Sequence, residues 1–177
     1  MTDLDLRYPI GRFQRPAAPP APFERMAMID RFAALPSAMR QALDGLTEAQ
    51  LDTPYRDGGW TVRQVAHHLP DSHMNAYIRV KLALTETHPT IKPYDEVAWA
   101  QLPDVSKTPV SNALGLLDAL HGRFVTLWRT MGDAEFGRPL KHPDSGDMRV
   151  DTLLALYAWH GDHHVAHITH LRARNGW

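Results

Sequence analysis

The chain of 177 residues reads as all-α: a four-helix bundle with a long proline-rich loop and a small hairpin before the last helix. Three observations give that class. Four long stretches repeat apolar side chains at three- and four-residue spacing, the period of a helix with one buried face. Most prolines and the paired glycines fall between those stretches, where they act as breakers. The length suits a single domain, residues 1–177, able to bury about two thirds of its unfolded surface.

Composition excludes several functions. Hydrophobic residues make up 44% and charged residues 22%, with a formal net charge of −1. No basic block supports a nucleic-acid partner. No apolar run approaches the ~18 residues of a membrane span, and no apolar core of a signal peptide opens the chain, so a cytoplasmic location with no membrane partner is the expectation. Cysteine is absent. Disulfides and thiolate ligands are excluded, and a site has to be built from histidine, carboxylates, hydroxyls or a bound small molecule.

Taken in order, residues 1–22 carry Pro16, Pro19, Pro20 and Pro22, too many for a helix. They read as an extended arm over the domain, anchored by Tyr8, Ile10 and Phe13. The first helix spans Phe23 to Leu46, with Met26, Ile29, Phe32, Met39, Leu43 and Leu46 on its apolar face and a kink or break near Leu35 imposed by Pro36. Thr47 opens a short capped turn, and Asp52 to Gly59 is loop. The second helix starts at Trp60-Thr61 with Thr61 as N-cap and runs to about Leu84. Pro70 bends it two residues past His68. Thr85 to Pro109 is the long loop, with a short helix around Asp95 to Gln101; loops of this length usually cover something. The third helix, Ser111 to Met131, buries Leu114, Leu117, Phe124 and Trp128 and leaves His121 and Arg123 near the surface. Phe136 to Val150 is a hairpin or Ω-type loop turning at Asp144-Ser145-Gly146. The last helix, capped by Asp151 or Thr152, stops at Asn175-Gly176.

That last helix carries the chemistry. Five of the eleven histidines fall between His160 and His170. His160, His164 and His167 share a face with Leu153, Leu156 and Leu171, where leucines are the ordinary occupants. His160 and His164, at i and i+4, have the spacing at which two side chains of one helix reach the same metal. Hydrogen-bonded core histidines or a solvated face would give the same pattern. A third ligand for an open catalytic site has to come from a facing helix, and the second helix offers His67 and His68. These lie ~100° apart on the helix, so one core site takes only one of them. His68 is preferred, because Ser72, Asn75 and Arg79 follow it along one stripe and are suited to a polar substrate. His67, on the face of Trp60, Asp71 and Ile78, is the rival. Imidazoles suit zinc, nickel, copper or iron, and spacing alone does not choose among them; zinc or nickel is taken as the expectation.

Three segments resemble the DinB superfamily, in particular its YfiT-like branch: Asp57-Gly-Gly-Trp60-Thr-Val-Arg-Gln-Val-Ala-His67-His68-Leu69, Asp71-Ser-His-Met-Asn75, and Trp159-His160-x-x-His163-His164-x-x-His167-Ile168. Tyr8-Pro-Ile-Gly11, Lys92-Pro-Tyr94 and Gly176-Trp177 fit the same branch, so the resemblance covers nearly the whole chain. It implies a four-helix bundle, often a homodimer, holding a divalent metal on three histidines. By position these are His68, followed as in the family by a hydrophobic residue (Leu69), then His160 and His164. Pro70 departs from the family pattern. The resemblance also implies metal-dependent hydrolysis, or transfer of a low-molecular-weight thiol such as bacillithiol.

The leading expectation is therefore a metal-dependent transferase, in which the three-histidine site activates a bacillithiol-like thiol for S-transfer to a small electrophile, with Asn75 and Arg79 orienting substrate. The alternatives are a metal-dependent hydrolase using water at the same site, and a metal-binding stress protein without turnover.

Overall fold

The structure is a computed structural model, and it describes residues 5–177. Of the arm expected over residues 1–22, the first four residues lie outside the described residues. From residue 5 onwards it is non-helical and lies along the last helix. Phe13 packs its ring 5.8 Å from that of Trp159, and Tyr8 approaches His163 at 6.1 Å. Ile10, an expected anchor, is instead 43% exposed, while the neighbouring Pro9 is buried. The turn at Tyr8–Gly11 orients Pro9, not Ile10, inward.

Four long helices form the bundle: α1 (Pro22–Leu43), α3 (Val62–Thr85), α6 (Val110–Arg129) and α8 (Val150–Asn175). The connections carry four short helices, α2 (Glu48–Leu51), α4 (Glu96–Trp99), α5 (Pro103–Lys107) and α7 (Asp133–Phe136). They also carry a hairpin, β1 (Pro139–His142) and β2 (Gly146–Arg149), paired antiparallel with Leu140 opposite Met148. Helices α1 and α3 each pack against both α6 and α8. The two helices consecutive along the chain therefore occupy opposite corners, and the arrangement is not a simple up-and-down bundle.

Local chemistry accounts for most boundaries. Thr61 caps α3 through a reciprocal box: the Gln64 amide donates to Thr61 Oγ1 at 3.1 Å, and the Thr61 amide donates to Gln64 Oε1 at 2.9 Å. The long loop holds both α4, capped by Asp95 Oδ1, and α5. Gly176 ends α8 with φ of 69°, a left-handed conformation that favours glycine. The start of α8 corrects the expected cap. Neither Asp151 nor Thr152 caps it, because β2 runs directly into the helix and the Val150 amide donates to the Arg138 carbonyl at 3.1 Å. Asp151 is buried and instead accepts from Arg149 Nη2 at 2.7 Å.

Pro36 does not break α1, which runs unbroken from Pro22 to Leu43. Packing on two sides supplies more than one missing amide bond removes, and the orphaned carbonyl of Phe32 finds another donor, described below. α3 likewise runs unbroken through Pro70.

The core is divided. One cluster joins Ile29, Phe32, Ala76, Val80, Phe124, Trp128 and Leu153, at the hairpin end. The other joins Leu35, Met39, Val65, Leu69, Leu117 and Ile168. Between them, along each of three helices, the buried side chains are histidines: His68 and His73 of α3, His121 of α6, and His163, His164 and His167 of α8. Leu35 of α1 packs directly against Gly161 of α8; a Cβ on Gly161 would stand 2.6 Å from Leu35 Cδ2. Among the described residues no helix is long and apolar enough to cross a membrane.

Candidate metal centre

The facing surfaces of α3 and α8 bring His68, His160 and His164 together. His160 Nε2 lies 3.4 Å from His68 Nε2 and 3.1 Å from His164 Nε2. One ring nitrogen from each of the three falls within 4.8 Å of the others. His68 sits two turns inside α3, under the indole of Trp60 at 4.6 Å. His67 points elsewhere: its Nε2 meets the Thr108 carbonyl at 3.2 Å, tying α3 to the loop after α5.

These imidazoles are neutral. Burial drives His68 down to about 4, and it drives His160 and His164 well below the usual histidine value, with neighbouring imidazoles pushing the same way. Neutral rings have a lone pair to give. The two spacings at His160 fit as well: with metal–nitrogen bonds of about 2.0–2.1 Å, two ligands of a tetrahedral zinc stand about 3.3 Å apart. The donor set and its geometry therefore suit a divalent ion such as zinc or nickel.

Two cavities meet at His160. The first, of about 410 Å³, is lined by all three histidines together with Tyr55, Trp60, Glu96, Trp159, His163 and His167. The second, of about 250 Å³, is lined by Ser72, Arg79, Tyr94, Glu96, Tyr157 and His160. A larger cavity, of about 780 Å³, lies between the arm and the Tyr55–Gly58 loop, but none of the histidines lines it. Of the residues expected to orient substrate, Arg79 lines the second cavity, with Nη1 donating to Tyr157 Oη and Nη2 to the Lys92 carbonyl, each at 3.4 Å. Asn75 lines neither cavity, and its amide donates to the Asp71 carbonyl of its own helix at 2.9 Å.

Three features escaped the sequence reading. Glu96 of α4 borders both cavities and, among the described residues, is the only carboxylate lining the first. Desolvation and the nearby Asp95 raise its pKa. Its signal was the short helix expected inside the long loop, but nothing in the sequence aimed that helix at His160. The second is His121, expected near the surface and in fact 2% exposed. Its Nδ1 meets the Phe32 carbonyl and its Nε2 meets His73 Nδ1, both at 2.9 Å, and its ring stacks on Phe32. The apolar stripe of α6 hid it, because a histidine with partners on both nitrogens occupies such a stripe as readily as a leucine. The third is His73, fully buried, whose Nε2 lies 3.3 Å from His160 Nδ1. On α8, His163 stacks on Trp159 and lines the cavity, and burial lowers it to about 4. His167 Nδ1 lies 3.3 Å from His164 Nδ1.

Fold and site together define a four-helix-bundle protein with a buried three-imidazole centre between two helices. Known proteins place it further. The DinB superfamily profile matches residues 31–168, and the chain belongs to that superfamily. It is 49% identical over 178 residues to the Bacillus subtilis (strain 168) protein named "Putative metal-dependent hydrolase YfiT", covering 100% of this chain and 99% of that one. A Bacillus cereus relative, also named "Putative metal-dependent hydrolase", is 52% identical over 177 residues, covering 98% of this chain and 99% of its own length. Among solved structures, that of "YfiT from Bacillus subtilis", described as "a probable metal-dependent hydrolase with an unusual four-helix bundle topology", superposes with a TM-score of 0.95. It is 48% identical and covers 98% of this chain and 99% of that one. A second four-helix bundle protein, TT2238, shares the fold at a TM-score of 0.55 and 20% identity, covering 86% and 99%.

Proposed function

We propose that this protein is a metal-dependent hydrolase of a small substrate, with His68, His160 and His164 holding one divalent metal, zinc or nickel. The observation that carries the reading is the meeting of three neutral imidazole nitrogens at the floor of a cavity large enough for a small molecule. The relatives' names support hydrolysis over the thiol S-transfer expected from the sequence. The cavity supports an enzyme over a purely metal-storing protein, since a structural site is closed on all sides by protein ligands.

When bound, the metal supplies Lewis-acid polarisation and acidifies water. The chain supplies the rest. Glu96, with its raised pKa, accepts a proton on one side of His160 and returns it to the leaving group. Arg79, braced by Tyr157 and the Lys92 carbonyl, holds an anionic or carbonyl oxygen of the substrate in the second cavity. Desolvation keeps the Tyr94 and Tyr157 phenols protonated, and so able to donate hydrogen bonds there. Trp60, Trp159 and Tyr55 form an apolar wall that limits water around the reacting atoms.

The test is turnover of chromogenic esters by zinc- or nickel-loaded protein, with and without added low-molecular-weight thiols. Hydrolysis without thiol is the expected result. Turnover that requires thiol would return the reading to S-transfer, and stoichiometric metal with no turnover in either case would favour the storage role.

A further inference from the structure

Behind the triad, three further buried histidines, His73, His121 and His167, form two hydrogen-bonded lines that each have only one possible direction. The first starts at the Phe32 carbonyl. In an uninterrupted helix that oxygen accepts the amide of residue 36, but residue 36 is proline and has no N–H. His121 Nδ1 takes the amide's place at 2.9 Å. A carbonyl only accepts, so the proton is on His121 Nδ1. His121 and His73 are 2% and 0% exposed and hydrogen-bonded to no carboxylate among the described residues, so neither can hold a charge cheaply. Neutral His121 then offers Nε2 as an acceptor, and His73 Nδ1, 2.9 Å away, donates to it. His73 in turn offers Nε2, and His160 Nδ1 donates at 3.3 Å. The lone pair of His160 is left on Nε2, the atom that faces His68 and His164.

The second line starts at the Arg7 carbonyl in the arm. His167 is 3% exposed and likewise hydrogen-bonded to no carboxylate among the described residues, so it is neutral; its Nε2 donates to that carbonyl at 3.3 Å, and its Nδ1 accepts from His164 Nδ1, also at 3.3 Å. The lone pair of His164 is again left on Nε2. Two lone pairs directed at each other across 3.1 Å repel unless a cation lies between them.

We infer that His121, His73 and His167 are positioning residues: two relays, anchored on the carbonyls of Phe32 and Arg7, fix the tautomers of His160 and His164 so that both Nε2 lone pairs point into the metal site before any metal arrives. The inference rests on the three-histidine reading of the site. It also gives Pro36 a role, since the residue that frees the Phe32 carbonyl is what lets the first relay start. Outer partners of this kind orient ligands and raise their basicity, and losing one typically weakens metal binding about 10–100-fold.

The test is long-range proton–nitrogen NMR of the histidine rings in the chelator-stripped full chain, followed by zinc titration against a chromophoric chelator. His121, His73, His160 and His164 are expected to carry the proton on Nδ1, and His167 on Nε2. A proton on Nε2 of His73 or His160, or a mixture of tautomers there, overturns the inference, and this needs no variant to fold. In His121→Phe, His160 should lose its single tautomer and zinc should bind roughly tenfold more weakly or worse, while His164 keeps its tautomer. In His121→Gln, the amide offers a donor to Phe32 and an acceptor to His73, and both readouts should recover. A merely structural His121 would lower stability in both variants without moving the His160 tautomer, and that result overturns the relay. If the rings carry the assigned tautomers but zinc does not bind the wild type, the relay stands and the metal reading fails.

Discussion

At the scale of single residues, the proposed function divides the site into groups that would hold a metal and groups that would handle substrate, and the two are expected to respond differently to substitution. His160 is the hub, within hydrogen-bond distance of His68, His73 and His164. His160→Ala is therefore expected to abolish stoichiometric zinc or nickel binding, read by elemental analysis after gel filtration, whereas His67→Ala, which only loses the Thr108 carbonyl, is expected to keep the metal. Glu96→Gln belongs to the second group. It keeps the shape and removes the proton acceptor, so metal content should be unchanged while kcat for ester hydrolysis falls by about 10²–10⁴. Unchanged kcat would remove Glu96 from the chemistry. The choice of His68 over His67 was legible in advance, because residues ~100° apart on a helix cannot share one core and only His68 leads a polar stripe. What the same wheel conceals is that the Asn75 amide reaches back to the Asp71 carbonyl and is satisfied locally.

At the scale of elements, two local rules yield to packing. Proline inside a helix costs roughly 3 kcal/mol, yet α1 passes through Pro36 because its neighbours α6 and α8 hold it on both sides. Glycine inside a helix is also unfavourable, yet Gly161 sits mid-way along α8 because Leu35 of α1 occupies the space a Cβ would need. Gly161→Ala gains about 1 kcal/mol of helix propensity and meets an overpacking cost of ~1–3 kcal/mol. We expect net destabilisation, with Tm lowered by a few degrees in a thermal melt, and weaker zinc binding, because Gly161 directly follows the proposed ligand His160. A raised Tm with unchanged zinc affinity would show that Leu35 moves aside freely.

At the scale of the whole molecule, the core's middle layer makes stability depend on pH and on metal. His68 and His121 titrate at about 4 in the folded chain, against 6.5 for the ordinary side chain. Between these values the unfolded chain binds more protons than the folded one, so stability rises with pH across that window. The contribution is complete above about pH 6.5, and it is lost as pH falls towards about 4, on the order of 3 kcal/mol for each of these two buried rings. His73, His160 and His164 are shifted the same way. Metal-free protein should therefore unfold in mild acid, with Tm falling steeply between about pH 6.5 and 4 and little change from about pH 7 to 8. Zinc at a hundred times its Kd adds about 2.7 kcal/mol, a rise in Tm of roughly 5–10 °C at neutral pH. The chelator-stripped protein should lack that rise, and so should His160→Ala.

The helices, the capping box at Thr61, the glycine stop at Gly176 and the His160/His164 pair follow from the sequence alone, because each is set by side-chain period and by groups within four residues of one another. The sequence also put His68 forward as the third candidate, with His67 as its rival, and the resemblance added a second reason to prefer it. Tertiary structure decided the rest. It turned a short helix of the long loop so that Glu96 borders the site, it buried His121 between Phe32 and His73, and it carried the Arg7 carbonyl to His167. All three depend on which helix faces which at what height, and no periodicity along one chain segment encodes that distance across the bundle.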